Sequence, residues 1–267
     1  MKRRMRPLLG TFVEIGFPDG AEEVASQAFA SIEVFQNLLS FHSSESDLTR
    51  LNRSAGEEME LHPISVHVLR LARAMSRASE GLFNPTVGGK MIELGVLPDH
   101  GFGKFLSCGS ADDLQIKGRR VRLRRPVILT LDGIAKGAAV DAGIKTLRRA
   151  GLRTGWINAG GDLRVFGETS LPISLRNSNG ALASVGVLKD AAMATSSVQE
   201  TWDPRFPGRI VSSFTDPHFG SWTVVAKSAW RADALTKVAA TAHPLVREER
   251  VRWLGGHLVR LEKKESA

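Results

Sequence analysis

Apolar positions recur along the chain with two periods. In residues 21–41, Val24, Ala28, Ile32, Phe35 and Leu39 fall on one side of a 3.6-residue wheel and the other side is polar, which predicts a helix. A second helix opens at Pro63, because a first-turn position has no intrahelical use for the amide that proline lacks. It carries Val68, Leu71, Ala72 and Met75 before Gly81 stops it. Ala139, Val140, Ile144 and Leu147 mark a third helix, ending near Gly151, and residues 230–241 a fourth. Shorter runs at 11–15, 156–158, 163–166, 182–187, 222–226 and 257–261 read as strands. Long helices mixed with scattered strands, without internal repeats, predict an α+β architecture with mixed sheets and packed helices, in one domain over 1–267.

Residues 118–131 form a hairpin-like stretch in which Arg120, Arg122 and Arg124 share one strand face. With Arg119 and Arg125 they make a basic run without interleaved aromatic rings, so a solvated strand face explains them better than a nucleic-acid surface, and no nucleic-acid partner is expected. The whole chain of 267 residues carries 36 Lys plus Arg against 28 Asp plus Glu, a net charge of +8 that admits anionic partners without locating them. A single cysteine, Cys108, excludes an intrachain disulfide framework and a thiolate-cluster metal site, and the lack of tyrosine removes phenolic acid–base chemistry. No run approaches the roughly eighteen apolar residues of a membrane span. The basic start is followed by a short apolar run broken by Gly10, Thr11, Glu14 and Gly16, which does not read as a cleavable signal. A cytoplasmic location without stable membrane insertion is expected.

The densest glycine signal is Asp132-Gly133-Ile134-Ala135-Lys136-Gly137, placed where a strand should hand over to a helix and expose unpaired amides. It lacks the Walker A and dinucleotide spacings, so a phosphate seat and an ordinary tight turn both remain open. Asn158-Ala159-Gly160-Gly161-Asp162-Leu163 joins two strands and reads as a turn or a close approach to a ligand. Asp233 lies among small apolar neighbours in the fourth helix. A buried carboxylate there needs a partner: a hard cation shared with Thr236, Asp132 or a loop carbonyl, or a salt bridge to Lys237 or Arg231. Ser196 and Ser197 follow Ala194 and Thr195 without a GxSxG elbow, which leaves the hydroxyls of Thr195 and Ser196 to backbone or phosphate. The histidines are dispersed, and a zinc cluster is not expected.

These motifs occur in the order of a known family. Gly10-Thr11-Phe12, the block from Glu45 to Asn52, Phe83-Asn84-Pro85-Thr86-Val87-Gly88, the two glycine elements and Ala232-Asp233-Ala234-Leu235 together resemble the ApbE family of FAD-dependent protein FMN transferases. The resemblance implies an α+β fold around FAD and a magnesium-dependent reaction. That reaction splits the pyrophosphate, releases AMP and attaches FMN through phosphate to a threonine of an acceptor flavoprotein. It further implies that Thr11 and Ser46 belong to the flavin-side wall, that Asn84, Pro85 and Thr86 contact FAD, and that Gly133, Ile134, Ala135 and Lys136 surround the phosphates. A carbonyl of that loop, taken as that of Ala135, joins Asp233 at Mg2+, with Asp132 and Thr236 as further metal-side candidates. Lys136, Asp162 and Asp233 are the expected catalytic residues, and Thr195, Ser196, Asp216 and Lys237 complete the expected cofactor contacts.

Four departures from the family pattern touch the chemistry. Leu9 stands where methionine is usual, Asp132 where glycine is commoner, and Lys237 where threonine follows the helical aspartate by four, with Thr236 one residue early and about 100° round the helix. Ser213 stands where histidine is common, in Ser213-Phe214-Thr215-Asp216-Pro217-His218-Phe219-Gly220; Asp203-Pro204-Arg205 is the alternative match. A lysine ammonium at position 237 either reaches phosphate and supplies part of the charge neutralisation or repels a metal, and an altered but occupied metal site is the expectation. The general base stays open between Asp132 and Asp162, with Asp162 ranked as a positioning residue. A FAD pyrophosphatase and a catalytically weak FAD-binding protein are the competing functions.

Overall fold

In the computed structural model, residues 1–54, 56–176, 181–199, 210–214 and 216–259 are described. The chain opens with the hairpin β1 (Lys2–Leu8) and β2 (Thr11–Phe17), then α1 (Glu22–Leu39) and α2 (Asp47–Arg53). Next come β3 (Met59–Glu60), α3 (Pro63–Ala78), α4 (Gly88–Glu93) and the hairpin β4 (Leu114–Lys117) and β5 (Arg120–Leu123). Then follow α5 (Ala135–Arg149), β6 (Gly155–Ala159), β7 (Asp162–Phe166), β8 (Ser170–Arg176), β9 (Leu182–Lys189) and β10 (Ala192–Val198). The last elements are β11 (Gly220–Ala226), α6 (Ala229–Thr241), α7 (Arg247–Trp253) and β12 (Gly256–Val259).

Among the described residues, seven strands make one antiparallel sheet in the order β1-β2-β6-β7-β10-β11-β12, and β3-β5-β4 and β8-β9 form two smaller sheets. Strand alternation gives the large sheet two different faces. Leu163, Val165 and Met193 pack with Trp156 against Ile173 and Leu188 of the β8–β9 ribbon. Phe166, Ala192 and Ala194 join the main core under the helices, and Asp162 and Arg164 share the Phe166 side of β7. On that side α5 packs between α1 and α6. Its contact with α6 is close enough to require glycine: a Cβ on Gly137 would lie 2.4 Å from the Ala229 carbonyl oxygen.

The α+β class is as the periodicity indicates, and the four long helices lie where it places them. The expected strand ahead of the first glycine element is absent. Residues 127–131 are buried, but their backbone is satisfied elsewhere: Leu129 exchanges bonds with the Asn52 amide, Thr130 N–H donates to Pro85 O, and Ile128 O accepts from Gly88 N–H. Three strands fall outside the sequence expectation, although Leu171, Ile173 and Leu175 alternate in β8. β1 is a cationic edge strand, β8 contains a proline, and β10 ends in small polar residues; pairing with neighbours makes each of them. The last strand ends at Val259 among the described residues; Leu261, Thr215 and Asp203-Pro204-Arg205 lie outside them. In β5 exposed Arg120 and Arg122 alternate with buried Val121 and Leu123, and Arg119, Arg120 and Arg125 pair with Glu60, Glu58 and Asp113. No helix among the described residues is long and apolar enough to cross a membrane.

Candidate active site

The first glycine element is a turn that enters α5. Leu131 O accepts from the amides of Ile134 and Ala135 at 2.9 and 2.7 Å, and the Gly137 amide donates to Asp233 Oδ2 at 3.3 Å. These three amides, expected to be unpaired, are therefore bonded to protein acceptors, because the turn closes on itself and α6 packs across it. What places Asp233 is Asp141, one turn along α5 from Gly137. Its carboxylate accepts from the amides of Ala229 and Trp230 at 3.0 Å each and pairs with Arg164. Ser228 precedes α6 without a side-chain cap, so a neighbouring helix supplies the oxygen that its own N-cap does not. The sequence signal for Asp141 is a lone carboxylate four residues after Gly137 on the same helix face.

Around this junction three carboxylates and two ammoniums meet. Lys237 Nζ lies 2.5 Å from Asp233 Oδ1 and donates to Ser196 Oγ at 3.1 Å. Of the two partners weighed for Asp233, Lys237 is therefore the one it takes; Arg231 donates to Leu254 O instead. Thr236 donates to Asp233 O at 2.7 Å and shares a 2.8 Å bond with Ser196. Lys136 Nζ stands 3.8 Å from Asp162 Oδ2, which is buried and receives no hydrogen bond. Asp132 is exposed, Lys136 half-buried, and Asp162 and Asp233 buried, so the group grades from solvent to interior.

The electrostatics follow that gradient. Burial, reinforced by the Asp233 charge and only partly opposed by Lys136 and Lys237, pushes the Asp162 carboxyl up to about 7. Burial alone would lower Lys136, but Asp162, Asp233 and Asp132 outweigh it and hold the ammonium above its usual range. Desolvation also raises Asp132, against the pull of His42, a Thr130 hydrogen bond and Lys237 and with added repulsion from Asp233. Asp132 lies at the solvent end of the group, where water screens these influences. His42, given no role by the sequence reading, is thus part of the site's field.

The other expected residues divide into three groups. Thr11 belongs to the site's edge: Gly160, at φ +58 in the β6–β7 turn next to Asp162, leaves room where a Cβ would come within 2.6 Å of the Thr11 hydroxyl. The Asn84-Pro85-Thr86 corner is fixed by its own bonds. Asn84 Oδ1 accepts from the Thr86 amide and hydroxyl, and Asn84 Nδ2 reaches Gly109 O and Ser213 Oγ. Ser213 thus anchors this corner, and the Cys108 thiol beside it is raised by burial. The third group is turned elsewhere. Ser46 is buried and caps α2, Thr195 pairs with Thr223 on the sheet face opposite Ser196, and Asp216 is exposed in a loop. A cavity of about 450 Å³ lies apart from this cluster, lined by Asp141, Lys145, Arg148, Arg164 and Trp230.

Comparisons with known proteins bear on the family and the fold. The family model described as the ApbE family matches residues 9–252. A FAD:protein FMN transferase of Rhodobacter capsulatus is 35% identical over 135 residues, which cover 46% of this chain and 26% of that protein. Another, from Klebsiella pneumoniae (strain 342), is 26% identical over 187 residues, covering 61% of this chain and 55% of that one. The chain thus matches about a quarter and about half of the lengths of these relatives. In fold it is similar to the apo flavinyl transferase ApbE of Pseudomonas stutzeri, with a TM-score of 0.79, 22% identity, and coverage of 98% of this chain and 92% of that one. The ApbE protein of Thermotoga maritima gives a TM-score of 0.80 at 21% identity, covering 99% and 97%. With the family model matching residues 9–252, all but the two ends, this chain belongs to the ApbE family.

Proposed function

We propose that this chain transfers FMN from FAD to a threonine hydroxyl of an acceptor flavoprotein and releases AMP. The observation that supports it is the meeting of Lys136, Lys237, Asp162 and Asp233 beside the turn into α5. In this step the threonine oxygen bonds to the FMN phosphorus, and the bond from that phosphorus to the bridging oxygen breaks. AMP leaves with the bonding pair on that oxygen. The two ammoniums offset charge on the pyrophosphate. Asp162 takes the hydroxyl proton: its Oδ2 is buried without a donor, and with its carboxyl at about 7 it accepts a proton near neutrality. Asn84, Pro85 and Thr86 form a FAD-contacting corner, and the encounter with the acceptor takes place in the cytoplasm in this reading.

Magnesium, which the family resemblance implies, would draw on Asp233, Thr236, Asp132 and the Ala135 carbonyl. Asp233 Oδ1 is held by Lys237, and the Thr236 hydroxyl is held by Asp233 O and Ser196. Among the described residues, no three His, Cys, Asp or Glu side chains group as a metal site. Asp233 and Thr236 do not fit a divalent ion while Lys237 stays in place.

The test is mass analysis of a threonine-containing acceptor domain after incubation with this protein and FAD, with and without magnesium. A mass gain of one phosphate-linked FMN, with one AMP released, is the expected result. Free FMN and AMP with an unlabelled acceptor would replace this reading with a pyrophosphatase, and FAD bound without turnover would replace it with flavin binding.

A further inference from the structure

We infer that Lys237 is the resident cation of this site, taking at Asp233 the place of a divalent ion and presenting its charge to the phosphate oxygens of the bound dinucleotide. The lysine is built in on three sides. Its stem runs over Gly133, where a Cβ would lie 3.2 Å from Lys237 Cε and 3.1 Å from the Phe83 ring. Its ammonium is fixed by Asp233 Oδ1 at 2.5 Å and by Ser196 Oγ at 3.1 Å. Two of its three donors are used by these partners, and the third is left for an anion. With the amides of Ile134, Ala135 and Gly137 bonded to protein, Lys237 and Lys136 carry the positive charge that this wall offers.

A divalent ion at Asp233 would have to displace an ammonium already in contact and then sit beside it, with Thr236 turned away. Phosphate binding here therefore requires no added metal. Only the identity of the anion rests on the transferase reading; compensation of Asp233 by Lys237 does not.

The experiment is a Mn2+ titration followed by electron paramagnetic resonance, on the wild type, K237T, K237R and D233N, together with FAD binding measured by flavin fluorescence in excess EDTA. Wild type and K237R should show no Mn2+ binding that depends on Asp233. Removing one positive charge next to the carboxylate should tighten Mn2+ binding in K237T by about tenfold or more. Wild-type FAD affinity should be the same in EDTA and in Mn2+. Tight Mn2+ binding to the wild type that D233N abolishes overturns the inference, as does equal Mn2+ affinity of K237T and wild type. If K237T does not fold, the wild-type arm decides alone: loss of FAD affinity in EDTA overturns the inference and its retention supports it. Failure to bind FAD under any condition would instead sink the transferase reading and leave the Mn2+ result standing.

Discussion

The site holds two Asp–Lys pairs that differ in kind. In Asp233–Lys237, four residues apart on α6, the ammonium sits 2.5 Å from Oδ1, and the carboxylate's other oxygen accepts from Gly137. In Asp162–Lys136, which joins β7 to the first turn of α5, the separation is 3.8 Å and the buried oxygen has no donor. Both carboxylates are equally removed from water, with side chains 3% and 6% exposed, so burial does not distinguish them. Contact does. A buried carboxylate in direct contact with a cation is a spent charge that fixes structure, while one held just out of contact stays close to protonation and is available to exchange a proton.

The largest expected effect breaks the loose pair on its acidic side. D162N keeps the shape of the carboxyl and removes its proton exchange, and transfer to an acceptor should fall by about 10²- to 10⁴-fold, read as the rate of FMN labelling. The same variant tests the raised carboxyl without any substrate. A carboxyl at about 7 in the folded chain and near the usual carboxylate value when unfolded lends stability that is fully present below the unfolded value. That stability is lost as pH rises through the folded value. The wild type should therefore lose stability between about pH 4 and pH 7 relative to D162N. Parallel melting curves of the two proteins over that range would show that Asp162 is an ordinary carboxylate.

Next in size is the tight pair. D233A leaves the Lys237 ammonium partly buried without its carboxylate, which should cost about 3 kcal/mol in a urea melt. A loss below about 0.5 kcal/mol would place this pair with exposed ion pairs and erase the contrast with Asp162.

Much of this contrast lay beyond sequence reasoning, for identifiable reasons. Asp233 and Lys237 are one helical turn apart, so their pairing was one of the readings that spacing alone left open. Asp162 and Lys136 belong to different elements, and only the packing of α5 against β7 sets their distance. The turn at Gly160 and Gly161 was visible because two glycines between strands have few other uses, and the structure has both at positive φ. The commitment of the loop amides was invisible, since the same glycine pattern suits an open phosphate cradle and a closed turn. Thr195 and Ser196 are neighbours in sequence with the same expected role, yet alternation in β10 sends them to opposite faces once that strand exists.

A smaller effect is expected at the joint that holds the tight pair in place. D141A removes the acceptor for two first-turn amides of α6 and the partner of Arg164. A lost helix cap costs about 1–2 kcal/mol, and this value should appear in the urea melt together with weaker protection of the α6 amides in hydrogen exchange. If α6 exchanges as in the wild type, Asp141 does not position Asp233.

The smallest effect should come from breaking the loose pair on its basic side. Lys136 is 36% exposed and 3.8 Å from its partner, so K136M should cost less than about 1 kcal/mol, well under the value for D233A. The cost should also depend on pH. Lys136 is one of the two cations that hold the Asp162 carboxyl down against burial and Asp233, so its removal drives that carboxyl further up. At pH 6 Asp162 is already largely protonated, and the ammonium has little charge to face; the variant should then melt close to the wild type. At pH 8 the wild-type carboxylate is ionised beside Lys136, whereas K136M has to keep the proton or bury a charge with less compensation, and the gap between the melts should widen. A gap of the same size at both pH values would mean that Lys136 contributes packing by its stem rather than charge, and that the two pairs differ only in length.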